Sequence, residues 1–179
     1  MTALSELSKR AEVPLLVAFA DLTRFTRTVQ SRADRDVAEV MAEYYEFLTE
    51  RIEASGGHIV KFIGDAALIV FDESSIDPGV QALLDAKDRV DAWFSERGWP
   101  SKLVIKVHFG TAIAGPYGPP GRERFDVLGK TVNTAALLPS SGVALTPQAF
   151  RKLSQPTRTR FKKHTPPITY IRTGDPRLD

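Results

Sequence analysis

Apolar residues along this chain keep two different rhythms. Leu15 to Ala20 is an unbroken apolar run, the pattern of a strand buried on both faces. From Arg35 to Ala54 the rhythm changes. Val37, Val40, Met41, Tyr44, Leu48 and Ile52 recur at three- and four-residue steps, which predicts an amphipathic helix. Gly56-Gly57 ends it, because glycine accepts the left-handed conformation common just past a helix C-terminus. His58 to Ile63 and Ala66 to Phe71 then read as two strands joined by Gly64-Asp65 alone. Glycine first in a two-residue loop favours a type II′ hairpin and leaves Asp65 at a tight, exposed tip.

Asp77-Pro78 predicts the next helix start, with aspartate as N-cap and proline at the first helical position. Val80, Leu83, Leu84, Val90 and Phe94 give that helix an apolar face, and Gly98 stops it after Arg97. Lys102 to Ala114 is strand-like and Gly115 to Gly121 reads as a glycine/proline loop. A strand at Arg124 to Leu128 leads into a helix from Lys130 to Leu138, broken by Pro139-Ser140-Ser141-Gly142. A strand at Val143 to Leu145, a helix at Thr146 to Leu153 and a hairpin near Thr159 to Arg172 complete the pattern. Strands alternating with helices, plus hairpins, indicate an α+β sandwich with helices covering one sheet face.

At 179 residues the chain suits one domain with a sizeable core and leaves little room for a second. Residues 14–173 are expected to form it, after a short polar segment at 1–13 and before a tail at 174–179. Leu4, Leu7 and Ala11 would share one side of a short leading helix. Val13 to Ala20 is far too short to span a bilayer, and the polar start lacks the apolar core of a secretory signal, so no membrane insertion is expected. Lys and Arg total 24 against 22 acids, and a balance of +2 gives no reason to expect a polyanion partner. The absence of cysteine removes disulfides, thiolate metal sites and thiol nucleophiles, and fits a cytoplasmic protein.

Two acids stand where core residues would be expected. Asp21 ends the first apolar run, in Phe19-Ala20-Asp21-Leu22-Thr23-Arg24-Phe25-Thr26, and Asp65 ends Lys61-Phe62-Ile63-Gly64-Asp65. On neighbouring strands the two carboxylates would hold a pair of Mg²⁺ ions against a triphosphate, the apparatus of two-metal phosphoryl transfer. Taken singly, Asp21 also fits a helix cap and Asp65 a turn former. The backbone N–H groups of Thr23, Arg24, Phe25 and Thr26 open a helix, a cradle for phosphate oxygens to which Thr26 adds a hydroxyl.

These two segments, followed by Arg124-Phe125-Asp126-Val127-Leu128-Gly129-Lys130-Thr131-Val132-Asn133, resemble the catalytic domain of class III nucleotidyl cyclases from about Leu15 to Ile171. The resemblance implies a ferredoxin-like sandwich with a mixed, largely antiparallel sheet. It implies Asp21, Asp65 and the Leu22 backbone carbonyl as ligands for two Mg²⁺ or Mn²⁺ ions. Lys61 and Asp126 would read the purine edge in the manner of adenylate cyclases, lysine donating to adenine N1 and aspartate accepting from the 6-amino group. Asn133 would contact the ribose or orient the reacting group, and Lys163, with Lys162 as its rival, would reach the phosphates. The family works as a head-to-tail dimer whose metal aspartates and base-reading residues come from different subunits. This chain carries both sets, so a homodimer with two shared sites and ATP as substrate is implied, giving cyclic AMP and pyrophosphate.

One position departs from the family. Four residues after the asparagine the family has an arginine that stabilises the transition state, and here Leu137 stands there. Arg122, Arg124 or Arg160 would have to take the role; otherwise the chain is a slow cyclase or a nucleotide-binding regulatory module. A cyclase for GTP or a pyrimidine nucleotide is a further alternative. The Gly-Gly-acidic-acidic turn of diguanylate cyclases is absent. So is the aromatic signature of an RNA-binding sheet, despite the basic run from Arg151 to Lys163, and no nucleic acid partner is expected.

Overall fold

The computed structural model describes residues 7–176. Its centre is β1 (Ala11–Leu22), which pairs antiparallel with β3 (Ala66–Asp72) on one side and with the long β4 (Leu103–Tyr117) on the other. Side chains alternate across a strand. Leu16, Ala18, Ala20 and Leu22 therefore face one layer, and Leu15, Val17 and Phe19 the other. Both faces are covered, which is why the sequence shows an unbroken apolar run rather than an alternating one.

β2 (Gly57–Ile63) adds to β3, and the order β2-β3-β1-β4 with helices α2 (Asp34–Glu53) and α3 (Ile76–Glu96) is the ferredoxin-like arrangement. The sheet continues through β6 (Val143–Leu145), parallel to β4, then β8 (Thr169–Arg172) and β7 (Phe161–His164). β5 (Arg124–Leu128) pairs with the far end of β4. α2 and α3 bury Tyr44, Leu48, Ile52, Leu83, Leu84 and Phe94 against the sheet, each such side chain contributing about 1.5–3 kcal/mol of transfer free energy. α5 (Pro147–Arg151) joins that layer through Ala149. Short α4 (Lys130–Ala136) lies against the opposite face, with Val132 and Ala135 on Leu15, Val17, Ala112 and Val127.

Several boundaries differ from expectation. Residues 1–6 of the expected leading helix lie outside the described residues; Ala11 is in β1, which thus begins ahead of residue 14. Asp77 is inside α3 and is not its N-cap. A 3₁₀ turn at Glu73–Ser75 precedes the helix, with Asp72 accepting from the Ser75 N–H. The Asp77 carboxylate instead accepts from Ser154 and Thr157, fastening the loop before α6 (Gln155–Arg158). Gly115 and Pro116 belong to β4, because β5 supplies a pairing partner that a local reading of glycine and proline cannot see. Beyond residue 173, Asp175 accepts from the Val143 N–H, so part of the expected tail packs on the sheet.

Candidate active site

Asp21 and Asp65 meet. β1 and β3 are adjacent, and Asp21 stands near the end of β1, just past Ala20, whose partner Ala67 lies next to the hairpin residue Ala66. Gly64 has φ 62°, the left-handed value that a type II′ loop requires at its first position, and it turns the chain so that Asp65 points back to β1. The Asp65 carboxyl is pushed up to about 6, chiefly by burial and then by the charge of Asp21 and a hydrogen bond to it; the N–H groups of Asp65 itself and Leu22 pull the other way. Neither carboxylate forms an ion pair with a lysine or arginine among the described residues.

Two adjacent tyrosines of α2 hold this corner. The Tyr45 hydroxyl donates to the Gly64 carbonyl at 2.5 Å and its ring stacks on Phe62 at 3.9 Å, clamping the hairpin. Tyr44 is buried directly beneath. Burial first, and then the charges of Asp65 and Asp21, raise its pKa, and its hydroxyl has no partner among the described residues. Periodicity marked Tyr44 as a core position and did not mark Tyr45; nothing in that pattern shows that either serves the acidic corner.

An acid pair of this kind is costly without a counter-ion, and no lysine or arginine among the described residues pairs with it. The donor set fits hard divalent cations: two carboxylates, with the adjacent Leu22 carbonyl. No cluster of three or more His, Cys, Asp or Glu side chains accompanies it among the described residues, so remaining ligands would come from phosphate and water. A pH effect follows. The raised pKa means that the folded state holds the Asp65 proton more tightly than the unfolded chain. The stability Asp65 contributes is therefore present at low pH and lost as pH rises through about 6. A divalent cation held at this pair would compete with that proton. Thermal melts should show a Mg²⁺-induced rise in Tm above about pH 7 that shrinks towards about pH 5, and Asp65→Asn should remove this dependence.

The cradle expected at Thr23 to Thr26 has fewer free groups than the sequence suggested. α1 (Phe25–Val29) opens at Arg24, which takes the left-handed conformation at φ 58°. Thr23 is occupied structurally, its N–H donating to the Lys102 carbonyl and its hydroxyl accepting from the Lys102 N–H. The Phe25 ring stacks on Trp99, so only its backbone faces a ligand, and Thr26 is exposed.

Lys61 and Asp126 also come together, with the ammonium 2.6 Å from the carboxylate. Their side chains are 41% and 22% exposed, and they open on a cavity of about 690 Å³ lined by Phe62, Tyr117, Arg122, Arg124 and Phe125. Asp126 faces Gly115 near the end of β4, whereas Asp21 faces Val104 near its start. Asn133 and Leu137 lie one turn apart on the exposed side of α4, Leu137 being 82% exposed.

Lys163 is not placed where the metal pair is. Following the paired residues from Asp21 through Val104, Lys106, Ala144 and Ile171 leads to Lys162, so Lys162 shares the face of Asp21 and Lys163 points to the opposite one. Of the three arginines considered as replacements for the missing one, Arg122 and Arg124 line the Lys61–Asp126 cavity. Arg160 lies within electrostatic reach of Asp88 on α3, in the helical layer. Among the described residues, no helix is long and apolar enough to cross a membrane.

Comparison with known proteins identifies the family. The family model for the adenylate and guanylate cyclase catalytic domain matches residues 8–165. Adenylate cyclase 1 of Rhizobium meliloti (strain 1021) is 27% identical over 129 residues, 67% of this chain and 19% of that protein. The adenylate cyclase of Anabaena cylindrica is 26% identical over 156 residues, 79% of this chain and 31% of that protein. The chain thus spans less than a third of these relatives. A bacterial light-regulated adenylyl cyclase superposes with a TM-score of 0.81 at 21% identity, covering 96% of this chain and 55% of that one. The guanylyl cyclase Cya2 superposes with a TM-score of 0.77 at 18% identity, covering 94% and 95%. With the acidic hairpin, the strand-end aspartate and the Asp126–Asn133 segment all in place within the matched region, this chain belongs to the class III adenylate and guanylate cyclase catalytic-domain family.

Proposed function

We propose that this chain converts ATP to 3′,5′-cyclic AMP and pyrophosphate at sites shared between two copies. The convergence of Asp21 and Asp65 carries the reading, because two carboxylates that pair with no lysine or arginine among the described residues suit a nucleotide triphosphate that arrives with Mg²⁺ or Mn²⁺. Metal held there by Asp21, Asp65 and the Leu22 carbonyl would make the ribose 3′-hydroxyl more acidic and neutralise phosphate charge. The 3′-oxygen attacks the α-phosphorus, the bond to the β-phosphate breaks, pyrophosphate leaves with the bonding pair, and the hydroxyl proton passes to water. The exposed Thr26 and the first N–H groups of α1 would hold the β- and γ-phosphates. Lys162, on the face of Asp21, is better placed than Lys163 to reach them.

ATP is favoured over GTP by the Lys61–Asp126 pair. A lysine donor matches adenine N1 and an aspartate acceptor matches the 6-amino group, while guanine presents the reverse polarities. Asn133, free on the outer side of α4, would contact the ribose across the interface. Purified protein incubated with Mn²⁺ and either nucleotide, with product identified by mass, tests this directly. We expect cyclic AMP, with GTP about 10²-fold poorer in kcat/KM. Cyclic GTP as the main product would overturn the choice of base. No cyclic product from any nucleotide would favour a binding module, the reading that Leu137 supports.

A further inference from the structure

Leu137 leaves the C-terminal end of α4 without a cation to balance the charge that develops at the reacting phosphorus, and phosphoryl transfer depends on such stabilisation. We propose that Lys106 is a catalytic residue that supplies it, its ammonium contacting a non-bridging oxygen of the α-phosphoryl group. This rests on the cyclase reading of Asp21 and Asp65.

Lys106 interrupts a strand whose neighbours Leu103, Val104, Ile105 and Val107 are all buried. Lys106 is itself partly buried and gives up part of its hydration there, so its position calls for a charged or polar purpose. It pairs across the sheet with Phe19 on β1 and Ala144 on β6. That places it on the face of Asp21 as its diagonal neighbour, where side chains start about 7–8 Å apart. Its ammonium does not pair with a carboxylate among the described residues. It donates to the Ala136 carbonyl at 3.1 Å, beside Leu137 at the end of α4.

A bond of this kind also describes a simple cap on a helix C-terminus. The Leu137 N–H already takes the Asn133 carbonyl and the Leu138 N–H the Ala135 carbonyl, which leaves the Ala136 carbonyl to Lys106. The neutral carbonyl is a weaker acceptor than a phosphate oxygen, so the ammonium can transfer to substrate when one binds. Lys106 gives a hydrogen bond and a charge, and the bonds that form and break are those of the cyclisation alone. The charge comes from the sheet beneath α4 instead of from the helix itself.

Lys106→Met keeps the stem and removes the charge, Lys106→Gln keeps a neutral donor for Ala136, and Lys106→Arg keeps the charge. Steady-state cyclase kinetics are measured for each beside Tm. We expect kcat to fall at least about tenfold in the Met and Gln variants with KM for ATP within about twofold, and to be largely retained in the Arg variant. Leu137→Arg should restore most of the loss in the Lys106→Met background. A Lys106→Met protein as active as the parent would overturn the assignment while leaving the cyclase reading intact. So would a loss that tracks a fall in Tm and is not recovered by Leu137→Arg. A parent protein that forms no cyclic product would overturn both.

Discussion

Asp65→Asn is expected to lower metal-dependent cyclic nucleotide formation by about 10³-fold or more while raising Tm above about pH 6. The opposite signs follow from one cause. The Asp65 carboxylate is half-buried beside Asp21, with no lysine or arginine among the described residues paired to either. Its ionisation near neutral pH therefore costs stability, and a neutral amide of the same shape removes that cost. The same charge is what a divalent cation would need. A decrease in Tm at pH 8 would mean that the pair is structural, held by contacts that asparagine cannot copy. Unchanged product formation would remove Asp65 from the chemistry. Asp65 is partly solvated, and water screens part of the cost of its ionisation, which keeps the Tm gain modest.

This corner was largely legible in the sequence because its logic is local. An apolar run that ends in an acid, and a two-residue loop with glycine first, each announce themselves within a few residues. Lys61 and Asp126 were legible through resemblance alone, since no spacing rule brings residues 65 positions apart into a 2.6 Å ion pair. What escaped depends on tertiary register. Pro116 continues β4 only because β5 pairs with it, and Asp77 leaves the cap position because Ser154 and Thr157, remote in sequence, compete for its carboxylate. Choosing between Lys162 and Lys163 needed the pairing of five strands. Lys106 gave one clue, a lone charge in an apolar strand, but its neighbour Ala136 could not be read from that.

Mixing two inactive variants should restore activity, and this is the strongest test of the assembly. Within one chain Asp21 and Asp126 enter at opposite ends of β4, and Asn133 faces outward from α4. An ATP held by the acidic pair of one copy would thus take its base and ribose contacts from the other. Asp65→Asn breaks the metal half and Asn133→Ala the ribose half. Asn133 is exposed, so its replacement is expected to leave the fold intact. Homodimers of either variant carry two broken sites. A heterodimer joins the intact acidic pair of the Asn133→Ala copy to the intact α4 of the Asp65→Asn copy, giving one whole site and one doubly broken one. With random exchange about half the dimers are mixed, so an equimolar mixture should recover about a quarter of parental activity. Recovery should rise with time after mixing as subunits exchange. A mixture no more active than its components, under conditions where exchange is demonstrated by labelled subunits, would mean that each chain completes its own site.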